Sequence, residues 1–242
     1  MVDLIGAGGN VQDVAAATSS AAEQQMIDAS NDPAVKYSVW LLTQIPTAAA
    51  KHDFALELRR LGLLVGDSPT LLEVATAASA AIDRHVAKQG GGTDLGEMAQ
   101  LSAVESLTAI AGRELTDLFG EEAIRTQAAL RGLGTVKQFA VLARDFFSRL
   151  AGRQLDYFLS RELALHVGLN SRFRSIRELK EFERALELHC REASRIIKEF
   201  SGQWFSKHTY EGGITEESAG HFAHVAFEKM REELQHRRSA HV

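Results

Sequence analysis

TVKQFAVLARDFFSRLAGRQLDYFLSRELALHVG (residues 135–168), LNSRFR (169–174) and SIRELKEFERALELHCREASRIIKEFSGQW (175–204) follow one another without interruption and decide the fold. In the first piece, Val136, Phe139, Ala143, Phe146 and Leu150 recur at helical spacing. Phe147, Ala151, Leu155 and Phe158 form a second stripe beside them. Together the stripes exceed the roughly 100° apolar arc of a surface helix. Only Ser148, Gly152, Asp156 and Ser160 are left as a narrow polar strip, so the helix should be covered on most sides. Gly152 in its middle costs about 1 kcal/mol against alanine, and the expectation is a tight helix crossing there.

The third piece opens on Ser175 with Glu178 three residues on, a capping box. Leu179, Phe182, Leu186, His189, Ala193, Ile196 and Phe200 then keep a three-four spacing that Cys190, Ile197 and Trp204 widen. Two such segments, joined by a short basic break, read as a long antiparallel helical hairpin over 135–206.

The flanks repeat the helical pattern. Asp32 before Pro33 is an N-cap followed by proline at the first helical position, and it starts a helix that Pro46 should end or kink. Further helices are expected over 47–63, over 70–89 after Ser68-Pro69, over 94–119, over 121–134 and over 216–238. Prolines stand only at 33, 46 and 69, which leaves the rest of the chain free for helix. Residues 1–32 read as a flexible or partly helical segment. Gly90-Gly91-Gly92 is the best linker candidate. The expectation is an all-α, multi-helix bundle of about seven or eight helices, with a small acidic helical subdomain at 33–90 and the main helical bundle at 93–242.

Composition narrows the function classes. The chain has 242 residues, 45% hydrophobic and 24% charged, with a net charge of −5, which is ordinary for a globular protein and unlike a general polyanion binder. Residues 1–121 carry 7 basic and 16 acidic side chains, against 20 and 16 in residues 122–242, so an anionic partner would meet the C-terminal half. No run approaches the roughly 20 apolar residues of a membrane span, and no signal peptide pattern opens the chain. One cysteine, Cys190, precludes an intramolecular disulfide. A cytoplasmic location is expected.

Three constellations are candidate sites. Arg172, Phe173, Arg174 and Arg177 at the helical break pair guanidinium groups with an aromatic ring, a combination that can hold phosphate and stack on a base. Glu217, His221, His224 and Glu228 are spaced four, three and four apart on the last helix, and such side chains can ligate a metal. Trp204, Phe205 and Tyr210 are candidate anchors for a partner protein. Other signals are weaker. GAGGN (6–10) lacks the third glycine of a dinucleotide-binding turn, since Val11 follows. His189-Cys190 cannot act as a dyad, because neighbours on a helix point about 100° apart. No nucleophile elbow, P-loop or zinc-finger cysteine pair is present, and no cofactor is expected.

The reading that follows is a non-catalytic helical interaction protein, a subunit or adaptor of a larger assembly, with other protein subunits or a second copy of itself as partners. One alternative is a nucleic-acid-associated subunit working through Arg172, Arg174 and Arg177. The other is a helical metal-binding enzyme using the Glu217–Glu228 stripe.

Overall fold

The computed structural model describes residues 5–21, 31–115, 122–169 and 171–239. Ten α-helices lie among them: α1 (Val11–Ala21), α2 (Pro33–Ala49), α3 (Phe54–Arg60), α4 (Leu71–Ala87), α5 (Asp94–Gly112), α6 (Glu122–Gly132), α7 (Val136–Leu165), α8 (Ile176–Ala193), α9 (Arg195–Tyr210) and α10 (Glu216–Ser239). They pack as an all-α bundle with no strand among the described residues.

The hairpin is present, and its second arm is bent. α7 is capped by Thr135, whose hydroxyl accepts from the Gln138 N–H. It runs 30 residues, about 45 Å at helical rise. The returning arm is two helices, because Ser194 interrupts it. The buried Ser194 hydroxyl donates to the Arg191 carbonyl at 2.8 Å, and the Ile197 N–H turns back to Ser194 O at 3.1 Å. A serine bonded to the preceding turn tends to bend a helix. α8 then lies along the C-terminal half of α7 and α9 along its N-terminal half.

Two apolar clusters result. The larger joins Phe139, Phe146 and Phe147 of α7 to Leu41 and Ile45 of α2, Leu107 of α5 and Phe222 and Phe227 of α10. The smaller joins Leu155, Leu159 and Leu163 of α7 to Phe182 and Leu186 of α8, Val14 of α1 and Leu234 of α10. Aromatic rings knit the first. Phe205 stacks on Phe139 with centroids 4.3 Å apart, Trp204 stacks on Phe222 at 4.3 Å, and Phe147 meets Phe222 edge-on at 5.7 Å.

A second central element stands beside α7. α2 packs against α3, α4, α5, α6, α7 and α10, and 12 of its 17 residues are buried, so it has little free face. Asp32 caps it as expected, accepting from the Ala34 N–H at 2.8 Å and the Val35 N–H at 3.1 Å. Pro46 does not end this helix, which continues to Ala49. The segment 47–63 is accordingly not one helix. Its first residues belong to α2, and only Phe54–Arg60 forms α3. The next helix is capped by Thr70, its hydroxyl accepting from the Glu73 N–H at 3.1 Å.

Gly152 is not at a helix crossing. A Cβ placed on it meets nothing within 4 Å, and the glycine faces an open cleft. The close crossing is at Gly202 of α9, where a Cβ would stand 2.9 Å from Val136 Cγ1 and 3.3 Å from the Val136 carbonyl oxygen. Gly152→Ala therefore gains helix propensity with no clash, and a stabilisation of about 1 kcal/mol is expected in urea unfolding. A loss of stability would show that the cleft closes over this position.

Candidate functional site

The hairpin turn, where the sequence places its basic cluster, is a tight structure with two sides. The Gly168 N–H donates to Phe173 O at 2.8 Å, and the Phe173 N–H donates to His166 O at 2.9 Å. Ser175 caps α8 by accepting from the Glu178 N–H at 3.3 Å. The Glu178 carboxylate reaches back to the Arg174 N–H at 2.8 Å, one residue before the cap. Glu178 thus pins the turn to the first turn of α8.

The inner side consumes half of the expected anion site. Phe173 is buried against Phe182, with ring centroids 5.4 Å apart. The Arg172 guanidinium lies over both rings, at 5.1 Å and 4.7 Å. It donates to the Ile5 carbonyl at 3.1 Å and to the Gly9 carbonyl. Burial pushes its pKa below the usual arginine value, the direction expected when a cation loses water and gains only neutral partners. Arg172 therefore fastens the GAGGN turn of the N-terminal segment to the hairpin.

The outer side holds Arg174 and Arg177, both exposed. Arg177 reaches Glu181 at 3.8 Å across an open surface, a pairing worth little in water. The three arginines do not converge on one point. Beside them stand three large apolar residues in solvent: Leu165 (75% exposed), Leu169 (94%) and Ile176 (66%). Sequence reasoning missed this trio by reading the break as basic. The available signal was Leu169, an aliphatic residue at the start of a break whose only other apolar side chain is Phe173.

The other two constellations are placed as follows. On α10, Glu217, His221 and Glu228 are exposed and His224 is half-buried. The His224 Nε2 lies 3.5 Å from Glu228. Among the described residues, no three histidine, cysteine, aspartate or glutamate side chains form a group that could hold a metal ion. Of the aromatic anchors, Phe205 is taken up by the core, Trp204 is half-buried on Phe222, and Tyr210 stands 94% exposed at the end of α9. Cys190 is buried. Burial and then the nearby Glu187 charge push its thiol up to about 12, so it stays protonated and unreactive at neutral pH.

Between α5, α7 and α8 lies a charged cleft of about 530 Å³, opened by the small residues Ser148 and Gly152. Glu105 bridges two arginines in it, with Arg149 at 2.8 Å and Arg153 at 2.5 Å. Arg149 is held in turn by Asp145 at 2.6 Å, and Arg153 donates to the Ser102 hydroxyl at 3.0 Å. Burial alone would raise the Glu105 carboxyl, but Arg153 and Arg149 outweigh it and hold the pKa below its usual value. Basic and acidic side chains are mixed along both walls, so the cleft presents no field of one sign.

A depressed folded-state pKa contributes stability above the unfolded value, and that stability is lost as pH falls through the folded value. Glu105→Gln should therefore lower stability at pH 7 and match the parent in acid below the folded pKa. The network is partly exposed and screened, so the loss at pH 7 should stay under about 1 kcal/mol. Denaturant midpoints across pH 3 to 7 measure it. A difference that persists unchanged into acid would assign the effect to packing instead.

No helix among the described residues is long and apolar enough to cross a membrane. The chain matches no family model, and no curated protein or solved structure resembles it significantly.

Proposed function

We propose that this protein is a non-catalytic helical interaction protein, a subunit or adaptor of a larger assembly, that engages a partner protein through the hairpin tip. The supporting observation is the exposure of Leu165 at the end of α7, Leu169 in the turn and Ile176 at the start of α8. Single exposed apolar residues are ordinary, but several within one short stretch of chain favour an interaction surface. Buried Phe173, the Arg172 clasp and the Glu178 bond to Arg174 hold the backbone of residues 172–174. Binding beside a held segment avoids part of the ordering cost that a mobile one would incur. Arg174 and Arg177 supply a cationic rim.

A photo-reactive residue at position 169, activated in the cells that produce the protein, tests this reading. Discrete protein adducts are expected from position 169 and not from exposed Gln203 on α9. Adducts that are dimers of the chain itself identify the partner as a second copy. Equal, diffuse labelling from both positions would defeat the proposal. With the photo-reactive residue moved to position 176, replacing Leu169 by Asp should abolish the adducts while leaving the urea unfolding midpoint unchanged, since Leu169 has almost no buried surface to lose.

A further inference from the structure

A second cavity lies away from the hairpin tip, where the N-termini of α2 and α5 meet the middle of α7. It has a volume of about 570 Å³, and its wall includes Pro33, Leu95, Met98, Gln154 and Tyr157. Its size and mainly apolar lining fall within the range of small-molecule sites.

The polar groups around it fall into two classes. Most are already satisfied by one another. Asp32 accepts from the Ala34 and Val35 N–H groups and from the Thr93 hydroxyl. The Thr93 hydroxyl accepts from the Gly96 N–H at 2.9 Å. Asp94 accepts from the Tyr157 hydroxyl at 2.6 Å. These carboxylates sit on the positive ends of both helices and neutralise them, so the cavity offers no charge for a phosphate or carboxylate. Gln154 is different. It is 1% exposed, and neither its amide nitrogen nor its amide oxygen has a hydrogen-bond partner. Buried polar atoms are nearly always paired, and a carboxamide left unpaired at both ends carries an uncompensated desolvation cost.

We infer that this cavity binds a small neutral molecule carrying a carboxamide or lactam edge on an apolar body, the covered Gln154 side chain turning into the cavity to set its oxygen on the ligand N–H and its nitrogen on the ligand carbonyl. A carboxamide presents one donor face and one acceptor face, and a second amide matches both at once. Leu95, Met98, Pro33 and the Tyr157 ring receive the apolar body. The carboxylates of Asp32 and Asp94 disfavour anions.

The test uses the full chain with benzamide, acetophenone and benzoate as probes, followed by the side-chain amide and methyl resonances. Benzamide is expected to shift the Gln154 side-chain amide pair and the Leu95 and Met98 methyls saturably, with the millimolar affinity typical of such small fragments. Acetophenone keeps the ring and carbonyl but lacks the N–H, and should bind at least about tenfold more weakly. Benzoate should not bind. In Gln154→Met, benzamide should lose that advantage over acetophenone while the protein remains folded, because the change removes unpaired polar atoms and keeps volume. Equal binding of benzamide and acetophenone to the unaltered chain overturns the inference without any variant. So does the absence of saturable shifts from benzamide.

Discussion

Phe222→Ala should lower the stability of this protein by about 3–5 kcal/mol, at the upper end of single core truncations. Phe222 on α10 is 2% exposed and is the ring at which separate helices meet. It contacts Phe139 and Phe147 of α7 and Phe200 and Trp204 of α9. Removing the ring forfeits its own burial and leaves a cavity whose walls belong to three helices, so no single side chain can swing in to fill it. The urea midpoint should fall with an unchanged slope, because the surface exposed on unfolding is nearly the same. A loss below about 1 kcal/mol would mean that α10 does not seat on the hairpin as described.

Gly202→Val should cost about 1–3 kcal/mol or more, the range for forcing extra carbon into a packed contact. The added Cβ would overlap Val136 Cγ1 at 2.9 Å and press on the Val136 carbonyl at 3.3 Å. Adjacent Phe205 and Phe139 are stacked at 4.3 Å, so α9 cannot back away from α7 without parting those rings. Val136→Ala removes the side-chain half of the clash but not the carbonyl half. The double variant should therefore recover only part of the loss, an interaction that a double-mutant cycle reads directly. Additive effects would place the strain elsewhere. The opposite sign expected at Gly152 makes the two glycines a paired test of the crossing geometry.

Helical periodicity was sufficient to locate most elements and the hairpin, because apolar spacing reports which face of a helix is covered. It also located the caps at Asp32 and Ser175, where side-chain chemistry and the start of the pattern coincide. It could not locate the bend at Ser194. That residue lies within an unbroken apolar period, and the bend depends on a local hydroxyl bond that serine makes in some helices and not in others. It could not show that α2 runs through Pro46 either. A proline's lost hydrogen bond is tolerated where neighbouring helices hold the segment, and that is tertiary information. Gly152 and Gly202 look alike in sequence, and only the position of the facing helix separates them.

The candidate site was legible to the same degree. Sequence placed attention on the turn from Arg172 to Arg177, where the spine of the bundle reaches solvent. Which side chains face out was not readable. The direction of Arg172 is set by carbonyls of Ile5 and Gly9, more than 160 positions away. Gln154 gave no signal at all, since a glutamine on a helix reads as surface until the ends of α2 and α5 are seen to cover it.

The placement of α2 carries a consequence for the order in which the molecule can be assembled. This helix is synthesised long before α10, which forms part of its cover. Trp40 and Gln44 of α2 donate to the carbonyl of Ile214, at 3.0 Å and 3.3 Å. Arg172 likewise closes on the Ile5–Gly9 turn. Each of these contacts shuts a loop of more than 160 residues, and such closures are entropically costly until much else is in place. A nascent chain must therefore carry one of its most apolar helices without this part of its cover until α10 has been made, and truncation before residue 214 would leave that helix without its lid.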